Sequence, residues 1–472
     1  MTILPIDPSA NATPEALRLF LGQCREAAER DGHVKLVSIS LAVGALDPLA
    51  VLESIFDPGE AHFYAERPSL ASAIAGAEEI AGVEAGGPDR FAVVQKFVDE
   101  TLRHTIAVGD VTAAFGGPHF FSTFAFHNEV EAGEPFPAAK VFVPRWQVAR
   151  AGERTTAVAN LLVTPDAALD LLTEKVWRAH AKFRKFEYPA GDGRRTDGTP
   201  SIFPAADADN YCEAVRAALG YIAAGEFRKI VLARRRPVRG AEALHPLRML
   251  NGLRQRFPEC YAFSIANGRG QSFIGASPER LVRVSRGVAE TEALAGSAPR
   301  GVSASEDAAR GETLLRSEKN RHEQQLVLDS ICRRLEPLGL KLEFPAEPVL
   351  RKLANVQHLH TPVRASLPET VRLLDLVARL HPTPAVGGSP REAAVPRIRA
   401  LEGFPRGLYA GALGWLNARG GGEFFVGLRS ALVAGTEAQL YAGAGIVAGS
   451  SPENELAETE LKFRAMEEAL RP

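Results

Sequence analysis

Cysteine is scarce in this chain of 472 residues: Cys24, Cys212, Cys260 and Cys332 lie far apart, with no C-x-x-C pair among them. That spacing argues against a zinc site and a disulfide framework, and it fits a reducing cytosol, so a cytoplasmic protein is expected. An excess of either charge is also missing. The 55 basic and 57 acidic residues leave no global field for nucleic acid or an anionic membrane, so any anion must be met by a local cluster. No apolar run approaches the roughly 20 residues of a membrane helix. The N-terminus, MTILPIDPSANATPEALRLF, lacks a basic region followed by an apolar core. The expected partner is a small molecule, not nucleic acid and not a membrane, and the expected assembly is a monomer. What the chain does have is 46% hydrophobic residues over a length that can bury a large core.

Tyr188 to Pro204, YPAGDGRRTDGTPSIFP, is rich in Gly, Pro and Asp without a hydrophobic period, and reads as an exposed connection. It separates an N-terminal part, residues 1–190, from a region covering residues 205–472. The first part carries a helix pattern over Thr13 to Ala28 and a Phe-rich strand candidate, FGGPHFFSTFAF, but no catalytic constellation. Beyond the connection, Asp207 to Gly225 reads as an amphipathic helix. Hairpins follow, with Asn267-Gly268 between two apolar runs and a turn at Arg286-Gly287. Three more strands joined by Gly-rich turns are expected between Leu408 and Val447. Strand meanders with long helices segregated between them predict an α+β fold, not a doubly wound parallel sheet.

Two helices carry carboxylates of interest. Asp307 to Leu335 is expected as one long helix with Val327, Leu328, Ile331 and Leu335 on a stripe, and Glu323 lies about 40° from Val327. The last helix begins at SSPENE, where Ser451 can cap and Pro452 suits the first helical position. On it, Glu458 and Lys462 are one turn apart.

Single residues leave alternatives open. In EFRKIVLARRR, Glu226 to Arg236, Lys229 stands at the mouth of a strand buried on both faces, where a lysine can simply snorkel to solvent. GAGIVAG, Gly443 to Gly449, matches the G-x-G-x-x-A form of a dinucleotide fingerprint, which makes a dehydrogenase a rival reading. Only residues 450–472 remain beyond it, all helical in pattern, so the second strand with its acidic residue is missing. The glycines fit close approach to a ligand or a turn into the helix. Glu279 can follow a Ser-Pro turn, Glu323 can be solvated, and Glu458 with Lys462 can be a helix pair worth roughly half a kcal/mol. His358 in NVQHLHTP suits a hydrogen-bonded core histidine equally well.

Order and spacing together say more. KIVLAR, FIGASPERL, ALAGSAPRG, SEKNRHEQQLVLDSI, VQHLHT, LHPTPAVGG, LYAGALGW, FVGLRSA, YAGAGIV and ENELAETELKFRAM follow one another from about Asp207 to the C-terminus. This series resembles the chorismate-utilising enzymes, which include isochorismate, salicylate, anthranilate and aminodeoxychorismate synthases. FYAERP is similar to the FYWERP of isochorismate synthases, with Ala65 in place of Trp. VLESIF, around Glu53, resembles weakly the LLES tryptophan-feedback motif of anthranilate synthases. The resemblance implies a single large α+β fold of layered antiparallel sheets flanked by helices, with the site between them and the N-terminal region in the same fold.

The resemblance also implies a cofactor and roles. Mg²⁺ would hold the ring carboxylate of chorismate through Glu323 and Glu458, oxygen ligands that suit a hard cation. Lys462 would lie near that carboxylate, and Tyr409 and Arg429 would hold the enolpyruvyl carboxylate. Gly296, Gly443 and Gly445 would line the pocket with backbone. Family members that add ammonia usually carry glutamine where this chain has Lys229, whereas those that add water carry lysine as general base. Glu279 matches the general acid that protonates the departing C4 hydroxyl. His358 matches a histidine near the site, and Gln324 stands where many relatives have histidine. The activity implied is that of an isochorismate synthase. A salicylate synthase, which goes on to eliminate pyruvate, is the alternative, followed by an anthranilate synthase component and by a relative that binds chorismate without turnover.

Overall fold

The computed structural model describes residues 1–4, 13–184, 201–202, 208–352 and 356–470. The expected connection, apart from Ser201 and Ile202, lies outside the described residues. Thr13 accepts from the Ala16 amide to start the helix Pro14–Asp31, and Gly32 at φ 67° stops it. The Phe-rich stretch forms the buried strand His119–Phe124, and the second amphipathic stretch folds as Ala208–Ala223. Both hairpins form where the sequence places them. Arg286 and Gly287 take φ 52° and 73°, the left-handed pair that lets a two-residue turn follow the strand twist.

Among the described residues, strand pairing is antiparallel except where Thr105–Gly109 runs parallel to Thr2–Leu4 and to Lys35–Val43. One layer runs from Lys35–Val43 through Arg154–Val163, Ala139–Ala151, Ser72–Ala85 and Ala61–Arg67. It continues across Tyr261–Asn267, Gln271–Ser277 and Ser430–Ala434, and reaches Glu437–Val447 and Lys229–Arg239. The other layer leaves the same Ala139–Ala151 strand through His119–Phe124 and Ala412–Asn417. From there it passes Gly422–Val426, Arg280–Ser285 and Val288–Pro299 to Val356–Ser366. Both layers therefore mix strands from the two halves of the chain. Aromatic rings fill the space between them: Phe63 meets Phe121 and Trp415 at 4.7 and 6.3 Å, and Phe263 meets Phe425 at 5.3 Å. Burying each of these side chains contributes roughly 1.5–3 kcal/mol.

Two expectations are corrected. Asp307 to Leu335 is not one helix but two, Ala304–Arg316 and Glu318–Leu335. Ser317 leaves helical geometry at φ −68°, ψ 109°, and its side chain accepts from the Asn320 amide to cap the second helix. Four strands, not three, follow Leu408, because Arg429 at φ 46° divides FVGLRSALV between Gly422–Val426 and Ser430–Ala434.

The strand that begins at Lys229 is held on both edges. Glu437–Val447 pairs with its whole length. On the opposite edge, Arg406 donates to the carbonyls of Val231 and Val386 at 2.8 Å each, and Glu402 accepts from the Ala233 amide at 2.6 Å. Glu402 and Arg406 pair at 2.5 Å with side chains 1% and 0% exposed, so neither charge has solvent to fall back on. Glu402→Ala leaves Arg406 charged and unpaired in the core. The expected cost is about 3–5 kcal/mol, read as a lower midpoint in denaturant titration; an unchanged midpoint would contradict the clamp.

Candidate active site

Alternation along Lys229–Arg239 puts Ile230 and Leu232 on one face and Lys229, Val231 and Ala233 on the other. Val231 and Ala233 sit opposite Gly445 and Gly443. These glycines lie inside a strand, not in a loop before a helix, so the dinucleotide reading of GAGIVAG fails. Their lack of side chains has a local cause. A Cβ on Gly445 would lie 3.1 Å from Lys229 Cε, and one on Gly443 would lie 2.8 Å from the Tyr409 hydroxyl. Burial lowers the Lys229 ammonium from its ordinary value, opposed by the charges of Glu323, Glu279 and Glu458 and reinforced by Lys462.

Glu279 follows the strand Gln271–Ser277, and its backbone carbonyl accepts from the Val426 amide at 3.0 Å. Its side chain is partly accessible yet enclosed by protein on most sides. Burial raises its carboxyl to about 7. Thr383, whose hydroxyl donates to Glu279 Oε1 at 3.1 Å, works against that rise, the charge of Glu292 adds to it and Lys229 opposes it. A lysine pushed down and a glutamate pushed up thus lie within each other's electrostatic reach.

The helices Glu318–Leu335 and Pro452–Leu470 bring Glu323 and Glu458 to the same lysine. Val327, Leu328, Ile331 and Leu335 are buried, which leaves Glu323 half-buried at the edge of the apolar stripe. It accepts no hydrogen bond from any described residue. Ser451 accepts from the Asn454 amide at 3.2 Å, so the last helix is capped where the sequence indicates. Lys462 bridges Glu458, at 2.8 Å, and the Gly443 carbonyl, at 2.7 Å. Among the described residues no group of three or more His, Cys, Asp or Glu side chains stands ready for a metal. The protein offers two carboxylates, one of them without a hydrogen bond or ion pair among the described residues, a donor set that fits a hard cation completing its shell with water and a ligand.

His358 lies in Val356–Ser366 opposite Ser297, at a bulge made by Gly296 with φ 66°. A Cβ on Gly296 would lie 2.9 Å from Asn320 Cβ, so the bulge also lets the Glu323 helix approach. Burial lowers the His358 imidazole to about 4, helped by Arg429, and the ring stays neutral with Nδ1 2.8 Å from the Ser297 hydroxyl. Arg429 Nη1 lies 3.8 Å from Cys260 Sγ. The Tyr409 ring stacks on Tyr441 at 5.3 Å, and its phenol feels the charge of Glu279. The structure therefore joins the sequence-derived residues into one neighbourhood. A separate cavity of about 1000 Å³, lined by Ala65, Tyr261, Trp415 and Arg372 among others, includes none of them.

A family profile described as chorismate binding enzyme matches residues 21–471. The chain belongs to the chorismate-binding enzymes. It is 38% identical over 441 residues to the salicylate biosynthesis isochorismate synthase of Pseudomonas aeruginosa, covering 92% of this chain and 90% of that protein. With the isochorismate synthase MenF of Bacillus subtilis it shares 32% identity over 94% of this chain and 95% of the other. Among solved structures, the menaquinone-specific isochorismate synthase MenF of Escherichia coli matches with TM-score 0.77 and 26% identity, over 96% of this chain and all of that one. Anthranilate synthase component I of Streptococcus pneumoniae, at TM-score 0.66 and 21% identity, shares the fold. A chorismate-binding enzyme acts on a small molecule, and no described helix is long and apolar enough to cross a membrane.

Thr383 and Ser297 escaped the sequence reading, although both stand inside quoted blocks. Thr383 is 104 positions from the carboxylate it touches, and no local period announces such a contact. Gln324 did stand out, as a departure. It is buried and donates to the Ala293 carbonyl and the Thr361 hydroxyl at 2.9 and 3.0 Å, which ties the Glu323 helix to both strands beside His358.

Proposed function

We propose that this chorismate-binding enzyme is an isochorismate synthase, converting chorismate to isochorismate with Mg²⁺ as cofactor. One observation carries the reading: Lys229 and Glu279 lie within each other's electrostatic reach with their titrations moved together, the lysine downward and the carboxyl up to about 7. Lowering the lysine makes the free amine easier to reach, and raising the carboxyl keeps a proton available, which suits a base and an acid. The names of its relatives point the same way.

Neutral Lys229 takes a proton from water as the oxygen bonds to C2 of the ring. The two ring double bonds each move one position, the C4–oxygen bond breaks, and Glu279 gives its proton to the departing hydroxide. One water enters and one leaves, so the sum is an isomerisation. Mg²⁺ held by Glu323 and Glu458 would supply positive charge at the ring carboxylate. Lys462 lies beside the same carboxylate, and Arg429 and Tyr409 hold the enolpyruvyl carboxylate, for which a guanidinium fork is well shaped. Gly296, Gly443 and Gly445 leave room for the ring. Neutral His358 can hydrogen-bond substrate without adding charge.

A product assay with chorismate and Mg²⁺ tests the reading. An isochorismate synthase gives a mixture of the two isomers that stops changing, with little pyruvate. Stoichiometric pyruvate and salicylate would replace the reading with a salicylate synthase, and binding without any product would replace it with a silent relative.

A further inference from the structure

The segment from Leu380 to Ser389 reaches both proton-transfer residues of the proposed reaction. Near one end the Thr383 hydroxyl donates to Glu279 Oε1 at 3.1 Å. At the other, Gly388 and Ser389 pair with Ile230 and Lys229, and the Val231 amide donates to the Gly387 carbonyl at 3.0 Å. The lysine strand is approached so closely that a Cβ on Gly388 would lie 2.5 Å from the Lys229 carbonyl oxygen. Between the two ends the Thr383 carbonyl accepts from the Val386 and Gly387 amides at 3.2 and 2.9 Å, a tight turn that leaves little slack.

Side chains pin the Thr383 end as well. Arg334, on the helix that carries Glu323, donates to the Leu380 and Pro382 carbonyls at 2.9 and 2.7 Å. Arg391, at the start of Arg391–Glu402, donates to the His381 carbonyl at 2.9 Å. Burial lowers the His381 imidazole to about 3, so the ring is neutral, and its Nε2 lies 3.0 Å from the Ala410 carbonyl, next to Tyr409. Helix-end carbonyls are commonly left to water. Here two guanidinium groups hold three consecutive ones, directly before the residue that touches the acid. We infer that Thr383 is a positioning residue for a proton: its hydroxyl holds Oε1 of Glu279 as the carbonyl oxygen, so that Oε2 carries the proton at a fixed place relative to Lys229. This rests on Glu279 being the general acid of the proposed reaction. A protonated carboxyl has one O–H and one carbonyl oxygen, so the oxygen that accepts from Thr383 leaves the other to donate.

Thr383→Val keeps the shape of the side chain and removes the hydroxyl. The carbonyl stretch of protonated Glu279, recorded in the infrared below about pH 7 and assigned by difference against Glu279→Gln, should then move to higher frequency. The reason is that a hydrogen bond weakens the C=O bond on which it ends. Turnover should fall about tenfold at unchanged KM for chorismate, since the carboxyl is free to rotate. Thr383→Ser returns the hydroxyl and should return both the stretch and the rate. A loss caused by weakened folding alone would leave the stretch of the folded protein in place. Arg334→Gln loosens the segment without touching Glu279 and should raise the stretch too, which decides the matter if Thr383→Val does not fold. An unmoved stretch or an unchanged kcat in Thr383→Val overturns the inference. Wild-type turnover in Glu279→Gln would instead remove the acid, and so fail the proposed reaction rather than the hold of Thr383 on the carboxyl, which the stretch reads without substrate.

Discussion

Lys229→Gln is expected to slow isochorismate formation by about 10²–10⁴-fold, the usual loss when a general base is removed. Chorismate binding in the presence of Mg²⁺ should survive. Glutamine has similar reach and fits against Gly445, and the strand that carries it is held by backbone pairing on one edge and by Glu402 and Arg406 on the other. The change is therefore confined to proton transfer. In wild type, kcat/KM should fall above about 7 as Glu279 ionises. Lys229→Gln should keep this falling limb at its reduced rate. Isochorismate at close to the wild-type rate would make Lys229 a strand-edge lysine, and the base would have to be sought elsewhere.

Much of the fold was legible because its signals are local. Thr13 and Ser451 announce helix starts with their own hydroxyls, and Arg286-Gly287 announces a hairpin through positive φ. Ser317 and Arg429 were missed for the complementary reason. Each breaks an otherwise continuous pattern, one by capping against Asn320 and the other by taking φ 46°, and neither residue type forces that outcome on its own. The site divides in the same way. Lys229 at the mouth of a buried strand and Glu323 at the edge of an apolar stripe could be read from periodicity. Gly443 and Gly445 were recognisable as places of close approach, but not which side chains approach, since Tyr409 and Lys229 come from elsewhere in the chain. The hold of Thr383 on Glu279 and the Glu402–Arg406 clamp depend on contacts that only the folded layers create.

Glu323→Gln and Glu458→Gln should each cost about 10²–10³-fold in turnover, since a bound cation contributes several kcal/mol of charge stabilisation and about 1.4 kcal/mol is a factor of ten. The charge balance of the pocket gives the reason. With Glu279 protonated, the site sets Arg429 and Lys462 against Glu323 and Glu458, and Lys229 adds at most one positive charge. Chorismate brings two carboxylates into that pocket, and a dication between Glu323, Glu458 and the ring carboxylate offsets them. Gln keeps the shape of either residue but removes a charged oxygen. Calorimetric titration with Mg²⁺ in the presence of chorismate should therefore show weakened metal binding in both variants, at unchanged thermal stability of the metal-free protein. Glu323→Gln should show the larger loss, because Glu323 has no hydrogen bond or ion pair among the described residues, whereas Glu458 already pairs with Lys462 at 2.8 Å. Wild-type Mg²⁺ affinity in both variants, or full activity of the wild type in EDTA, would remove these carboxylates from the metal site.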